Sequence, residues 1–145
     1  MAPQEEIYRS DSPEQTLELG RQLAARLHQG DCVALVGPLG AGKTLLVRGL
    51  VEGLGLEDRR LVSSPTFVLV QEYPARIKVF HVDLYRLIQP EPELAGLGLE
   101  EMLAEGVVLV EWAERAQAAL PCPHWRVEIA IIGPTSRQFR LRRVP

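Results

Sequence analysis

The hydrophobic pattern along the chain changes period several times, and each change marks an element. Ser12 can cap a helix whose first turn carries Pro13, and Gln15 completes a capping box. Leu17, Leu19, Leu23, Ala24 and Leu27 then give that helix an apolar face up to Gly30. Cys32 to Val36 is an unbroken apolar run, the mark of a buried strand, and Lys43 to Leu54 returns to the helical period. Thr66 to Glu72 and Ile77 to Val82 predict two strands joined by a turn at Pro74. Glu93 to Glu105 predicts a helical region interrupted by Gly96 and Gly98. Val107 to Val110 is apolar throughout, as at the centre of a sheet. Ala113 to Leu120 predicts a helix stopped by Pro121, and Arg126 to Ile132 and Gln138 to Val144 alternate like strands. Helices and strands interleave without repeat or linker, which predicts a three-layer α/β domain spanning residues 1–145 around a central, partly parallel, mixed sheet.

Composition narrows the class. The chain is 46% hydrophobic and 24% charged, an ordinary soluble balance. Its net charge of −3 provides no global field toward nucleic acid. No apolar run approaches the roughly 20 residues of a membrane span, and Met1 to Asp11 is polar and acidic, so a cytoplasmic protein is expected. Cys32 and Cys122 lack a metal-ligand spacing, and both are expected to be buried thiols. Asparagine is absent and arginine outnumbers lysine fourteen to two, a bias that fits either a GC-rich genome or selection against heat-labile amides.

The chemistry is concentrated between the first apolar strand and the helix after it. Gly37-Pro38-Leu39-Gly40-Ala41-Gly42-Lys43-Thr44 fits the pattern G-x-x-x-x-G-K-[ST] in full. Glycines let the backbone curl so that successive amides point at a phosphate, and the helix N-terminus adds its positive end. Lys43 is a point charge for the terminal phosphates, and the Thr44 hydroxyl can ligate Mg²⁺. A guanine-reading Asn/Thr-Lys-x-Asp loop is missing, because the only other lysine, Lys78, is followed by Val79 and Phe80, so ATP is the expected nucleotide. Such a site needs a further acid at a strand end, and two qualify: Asp83 after Val79 to Val82, and Glu111 after Val107 to Val110. The second strand is the more apolar, as expected beside the P-loop strand.

Four motifs occur in order: the P-loop, Ser64-Pro65-Thr66-Phe67, His81-Val82-Asp83-Leu84-Tyr85-Arg86-Leu87 and Glu111-Trp112-Ala113-Glu114. Together they resemble the bacterial TsaE (YjeE) family over about Ser12 to Leu141. The resemblance implies a P-loop NTPase-like fold and the ATPase component of the machinery that makes threonylcarbamoyladenosine in tRNA. It implies slow ATP hydrolysis that matters in a complex with TsaB and TsaD, where TsaD modifies adenosine 37 of tRNAs reading codons that begin with A. Contact with tRNA is then indirect. It further implies that Gly40, Ala41, Gly42, Lys43, Thr44 and Leu45 wrap the phosphates and that Thr44 and Glu111 hold Mg²⁺. By the same resemblance, Asp83 would orient the attacking water, Ser64-Pro65-Thr66 would act as a switch loop, and Ser12 and Arg137 would belong to the nucleotide site, with Arg137 near the adenine. Two departures stand out: Leu45 replaces a second Thr, and Pro38 an acidic residue, neither of which removes the amide cradle.

Other residues have ordinary readings beside functional ones. Trp112 either faces the nucleotide or a partner, or is a core tryptophan. Arg86 is expected in an intramolecular ion pair, and His81 as a hydrogen-bonded structural histidine. Arg137, Arg140, Arg142 and Arg143 fit a strand with one solvated face. Two other functions share the P-loop: a small-molecule kinase and a non-hydrolysing ATP-dependent scaffold. The kinase normally adds an Arg-bearing lid, whereas the spare segment from Leu87 to Glu105 is acidic and carries no Arg or Lys.

Overall fold

The computed structural model describes residues 5–56 and 69–145. Ser64-Pro65-Thr66-Phe67 lies outside the described residues. In chain order the elements are β1 (Glu5–Ser10), α1 (Pro13–Ala24), β2 (Cys32–Val36), α2 (Lys43–Gly53), β3 (Val70–Tyr73), β4 (Lys78–Asp83), α3 (Pro90–Ala95), α4 (Leu99–Glu105), β5 (Gly106–Glu111), a 3-10 segment (Ala113–Ala119), β6 (His124–Ile131) and β7 (Arg137–Val144). Among the described residues seven strands form one sheet in the order β1-β7-β6-β2-β5-β4-β3. β6, β2, β5 and β4 run parallel, and β7, β1 and β3 extend the two sides antiparallel. The mixed sheet expected from the alternation of elements is therefore present.

Side-chain alternation divides the core into two layers. Val33, Leu35, Val107 and Leu109 point to the face covered by α1 and α2. Cys32, Ala34, Val108 and Val110 point to the opposite face, which packs on Leu84, Leu94 of α3, and Ala113 and Ala116 of the 3-10 segment. Strand β5 is buried along its whole length, as its continuous apolar run requires.

Several boundaries differ from the sequence expectation for physical reasons. The sequence predicts no strand at β1, because Glu5-Glu6-Ile7-Tyr8-Arg9-Ser10 does not alternate in polarity. It forms through backbone pairing with β7, leaves Ile7 exposed, and buries Ser10 against the Thr16 hydroxyl at 2.7 Å. Ser12 does cap α1, accepting the Gln15 amide at 3.1 Å, but the Gln15 side chain reaches the Asp11 amide instead of closing back on Ser12. The helix expected from Ala113 to Leu120 is a 3-10 segment, broken where Ala116 turns to φ −145° and ψ 41°. Only Cys32 is a buried thiol, and burial pushes it up to about 12; Cys122 is exposed. Among the described residues no helix is long and apolar enough to cross a membrane.

α1 and α2 cross at very close range, at Gly20 and Gly49. A Cβ at Gly49 would lie 2.3 Å from the Leu17 carbonyl oxygen, and one at Gly20 would lie 2.7 Å from that of Leu46. Backbone cannot yield as a flexible side chain does, so α2 holds its distance from α1 only with glycine at both positions. We expect Gly49→Ala to lose about 1–3 kcal/mol of stability through overpacking, despite alanine's better helix propensity. Gly96→Ala, whose Cβ would meet nothing nearer than 3.5 Å, should change stability by less than about 0.5 kcal/mol. Urea unfolding of both variants checks this, with an unchanged m-value as the control.

Candidate functional site

Three parallel strands end at one level. The register sets Leu35 of β2 beside Glu111 of β5, and Glu111 beside Asp83 of β4. The loop that leaves β2 therefore starts next to both acids, outside the carboxyl ends of the strands. In that loop Gly40 and Gly42 take φ of 79° and 103°, a region that other residues rarely enter. A Cβ at either would meet nothing within 4 Å, so the loop faces open space there. The first intrahelical bond of α2 runs from the Leu46 amide to the Gly42 carbonyl at 2.9 Å. Amides ahead of such a bond have no helical acceptor, and the positive end of the helix dipole adds to them.

Lys43 is 95% shielded from solvent, at 5% exposure. Its Nζ donates to the Gly37 carbonyl and, at 2.9 Å, to that of Pro38. It also lies 3.7 Å from the centroid of the Trp112 ring, which stacks at 4.8 Å on Tyr85. Burial pushes the Lys43 ammonium below its usual range, and Glu114, Glu111 and Asp83 partly oppose that shift. A cation curled over its own loop carbonyls can turn toward an anion placed in the cleft.

The Thr44 hydroxyl lies 3.0 and 3.2 Å from the two Glu111 oxygens. The second of these is also hydrogen-bonded to Nε2 of His81, which is fully buried on β4. Glu111, at 2% exposure, is thus a buried carboxylate held from two sides. Asp83 accepts the Tyr85 amide at 2.9 Å. Burial raises its pKa above the usual carboxylate range; the Tyr85 amide opposes the shift, and Glu111 adds to it.

The expected residues fall into two adjoining hollows. Gly40, Ala41, Gly42, Lys43, Thr44, Leu45, Asp83 and Glu111 line a cleft of about 420 Å³, together with Leu39, Tyr85, Arg86 and Trp112. Ser12 and Arg137 line a second hollow of about 180 Å³, which shares Gly40, Ala41, Gly42 and Leu45 with the first. Arg137 donates to the Gly40 carbonyl at 3.2 Å, tying the turn between β6 and β7 to the P-loop. Thr16, Pro134 and Thr135 complete that hollow.

Some features were not legible. Arg86 is exposed in the cleft and makes no ion pair among the described residues, against expectation. Glu114 accepts the Gly37 amide at 3.3 Å, and Arg115 donates to carbonyls of the stretch after Asp83. Glu114 had a weak signal, as a second acid three residues beyond a strand end. Arg115 had none, because its acceptors are backbone atoms 28 to 31 residues away. Trp112 has φ of 59°, a left-handed conformation unusual for tryptophan, and its ring faces the site.

Known proteins share the sequence and the fold of this chain. A family model described as Threonylcarbamoyl adenosine biosynthesis protein TsaE matches residues 10–139. The chain is similar to the tRNA threonylcarbamoyladenosine biosynthesis protein TsaE of Bacillus subtilis, at 37% identity over 139 residues, covering 94% of this chain and 85% of the relative. It is 43% identical to the protein of that name from Streptomyces coelicolor, over 85% of this chain and 84% of the relative. The relative from Aquifex aeolicus is 37% identical, with 92% of each chain covered. Among solved structures, the crystal structure of Bacillus subtilis YdiB superposes with a TM-score of 0.80 at 30% identity, covering all of this chain and 89% of that one. A match across 130 aligned positions, on relatives of nearly the same length, goes well beyond the P-loop: the chain belongs to the TsaE family.

Proposed function

We propose that this chain is an ATPase that binds ATP with Mg²⁺ and hydrolyses it slowly, as a cytoplasmic, single-domain subunit for threonylcarbamoyladenosine modification of tRNA. The relatives' names support the process, and the family resemblance supports action on a TsaB–TsaD complex that itself handles the tRNA. The observation that carries the chemistry is the convergence of the P-loop, the Thr44–Glu111 pair and Asp83 in one cleft.

Each residue has a separable role in this reading. The loop amides from Gly40 to Leu45 cradle the phosphates, and the Lys43 ammonium exchanges its loop carbonyls for phosphate oxygens. Thr44 and Glu111 are hard oxygen donors, suited to Mg²⁺, which takes one or two protein oxygens and completes its shell with phosphate and water. Among the described residues no group of three or more His, Cys, Asp or Glu could hold a metal by itself, which favours a cation shared with phosphate. Mg²⁺ would neutralise charge on the phosphates when bound. His81 fixes the Glu111 carboxylate from behind, as a supporting hydrogen bond does for a ligating group. Asp83 orients the attacking water, and its raised pKa suits a group that must also accept a proton. Ser12 and Arg137 flank the nucleoside end. The packing of Leu94 into the core beneath α3 argues against a mobile kinase lid.

Lys43→Ala should weaken ATP binding by about 10- to 100-fold, the loss of one charge-assisted contact, while thermal unfolding stays cooperative. Titration with a fluorescent nucleotide measures it, and unchanged affinity would sink the phosphate-site assignment.

Asp83→Asn and Glu111→Gln should differ in kind. Glu111→Gln is expected to raise the Mg²⁺ concentration needed for nucleotide binding. Asp83→Asn should leave binding within about twofold and slow single-turnover hydrolysis by about 10²- to 10⁴-fold. A magnesium titration of both variants decides it: weakened metal dependence confined to Asp83→Asn would reverse the two roles.

The isolated chain should turn ATP over very slowly and accelerate when TsaB and TsaD are added. Transferring a phosphoryl group without an added cation forgoes a contribution worth about 10³–10⁵ in rate when an arginine finger provides it. α3 and α4 carry no Arg or Lys. Steady-state phosphate release is the measurement, alone and with both partners. Fast turnover of the chain alone, abolished by Arg86→Ala, would mean that this cleft residue supplies the charge internally.

A further inference from the structure

Two adjacent residues of the 3-10 segment reach in opposite directions. Glu114 accepts the amide of Gly37, the first residue of the P-loop, at 3.3 Å. The Arg115 guanidinium donates to the carbonyls of Leu84 at 2.8 Å, Leu87 at 2.9 Å, and Tyr85. These three acceptors belong to the short stretch that leaves β4 directly after Asp83. A guanidinium presents five donors in a fixed plane, which suits several carbonyls at once, whereas an ammonium is a point charge on a flexible stem. The same stretch is closed on itself by the Leu87 amide, which donates to the Leu84 carbonyl at 3.2 Å. Its Tyr85 amide in turn donates to the Asp83 carboxylate at 2.9 Å. An unbroken series of hydrogen bonds therefore runs from Arg115 through the Tyr85 peptides to Asp83. Arg115 itself does not line the cleft.

We propose that Arg115 is the positioning residue for Asp83. By gripping the stretch from Leu84 to Leu87 it sets the direction of the Asp83 carboxylate, and through Glu114 the same segment references that carboxylate to the P-loop. The inference rests on the ATPase reading and deepens it. It assigns Arg115 no contact with the nucleotide. Its loss therefore lowers the rate of hydrolysis without lowering ground-state affinity, and it acts only while Asp83 is present to be positioned.

The test uses the full chain with both partner proteins, and the variants Arg115→Ala, Arg115→Lys, Asp83→Asn and the double variant Asp83→Asn/Arg115→Ala. Nucleotide affinity of Arg115→Ala should stay within about twofold of the parent, while kcat falls about tenfold or more. Arg115→Lys should fall between the two. The double variant should be no slower than Asp83→Asn alone, within about twofold, since residues acting as one unit are not additive. Millimolar guanidinium should restore part of the rate to Arg115→Ala and none to Asp83→Asn. Independently of activity, amide exchange at Leu84 to Leu87 should quicken in Arg115→Ala while α1 is unchanged. Multiplicative losses in the double variant, or an equal loss of affinity and rate, would overturn the proposal. If the parent shows no hydrolysis even with partners, the ATPase reading fails instead. The exchange measurement then decides whether Arg115 holds this stretch: unchanged protection there rejects it, and faster exchange supports it.

Discussion

The site depends on the parallel register of β2, β5 and β4. Parallel strands place equivalent ends side by side, and here the pairing of Leu35 with Glu111, and of Glu111 with Asp83, brings three chemical groups to one level. A slip of one residue in either pair would turn an acid to the other face of the sheet. Strand β5 is buried on both faces, and the acid that ends its apolar run, Glu111, marks the level at which the sheet meets the cleft. The position of the cleft therefore follows from how the strands pair.

Around that constraint the structure adds supports that come from far along the chain. Glu111 is braced by Thr44 from the P-loop helix and by His81 from the neighbouring strand. The P-loop is braced on one side by Glu114 and on the other by Arg137. Its helix is in turn seated against α1 by backbone contact at Gly20 and Gly49. Because Ser12 caps α1 beside the second hollow, the helix that seats the P-loop helix also forms part of the wall of that hollow.

The sequence reveals the parts whose physics is local. The P-loop is legible because close phosphate approach demands glycines at fixed spacing, followed by a cation and a hydroxyl in the first helical turn. Asp83 and Glu111 are legible because apolar runs that stop at an acid mark buried strands ending at a surface. What escaped is what tertiary pairing alone creates. β1 has no alternation to betray it, since its partner β7 supplies the order. Arg115 looks like any surface arginine until the chain folds its acceptors beside it. Arg86, expected in an intramolecular ion pair, lines the cleft and makes no ion pair among the described residues. The 3-10 segment resembled a helix because Ala113 to Ala119 has strong helical propensity, which packing against the sheet overrides at Ala116.

The two cysteines differ in a way that is useful at the bench. Cys32 lies in the middle of the sheet, and burial pushes its thiol up to about 12, so the folded protein presents almost no reactive thiolate there. Cys122 stands exposed at the junction between the 3-10 segment and β6. A maleimide dye added to the native protein would therefore attach at one place, with no engineered residue. That place adjoins the segment that carries Glu114 and Arg115, so the chain holds a natural fluorescence handle on its own site, and uptake of a second dye would count the molecules whose central strand has opened.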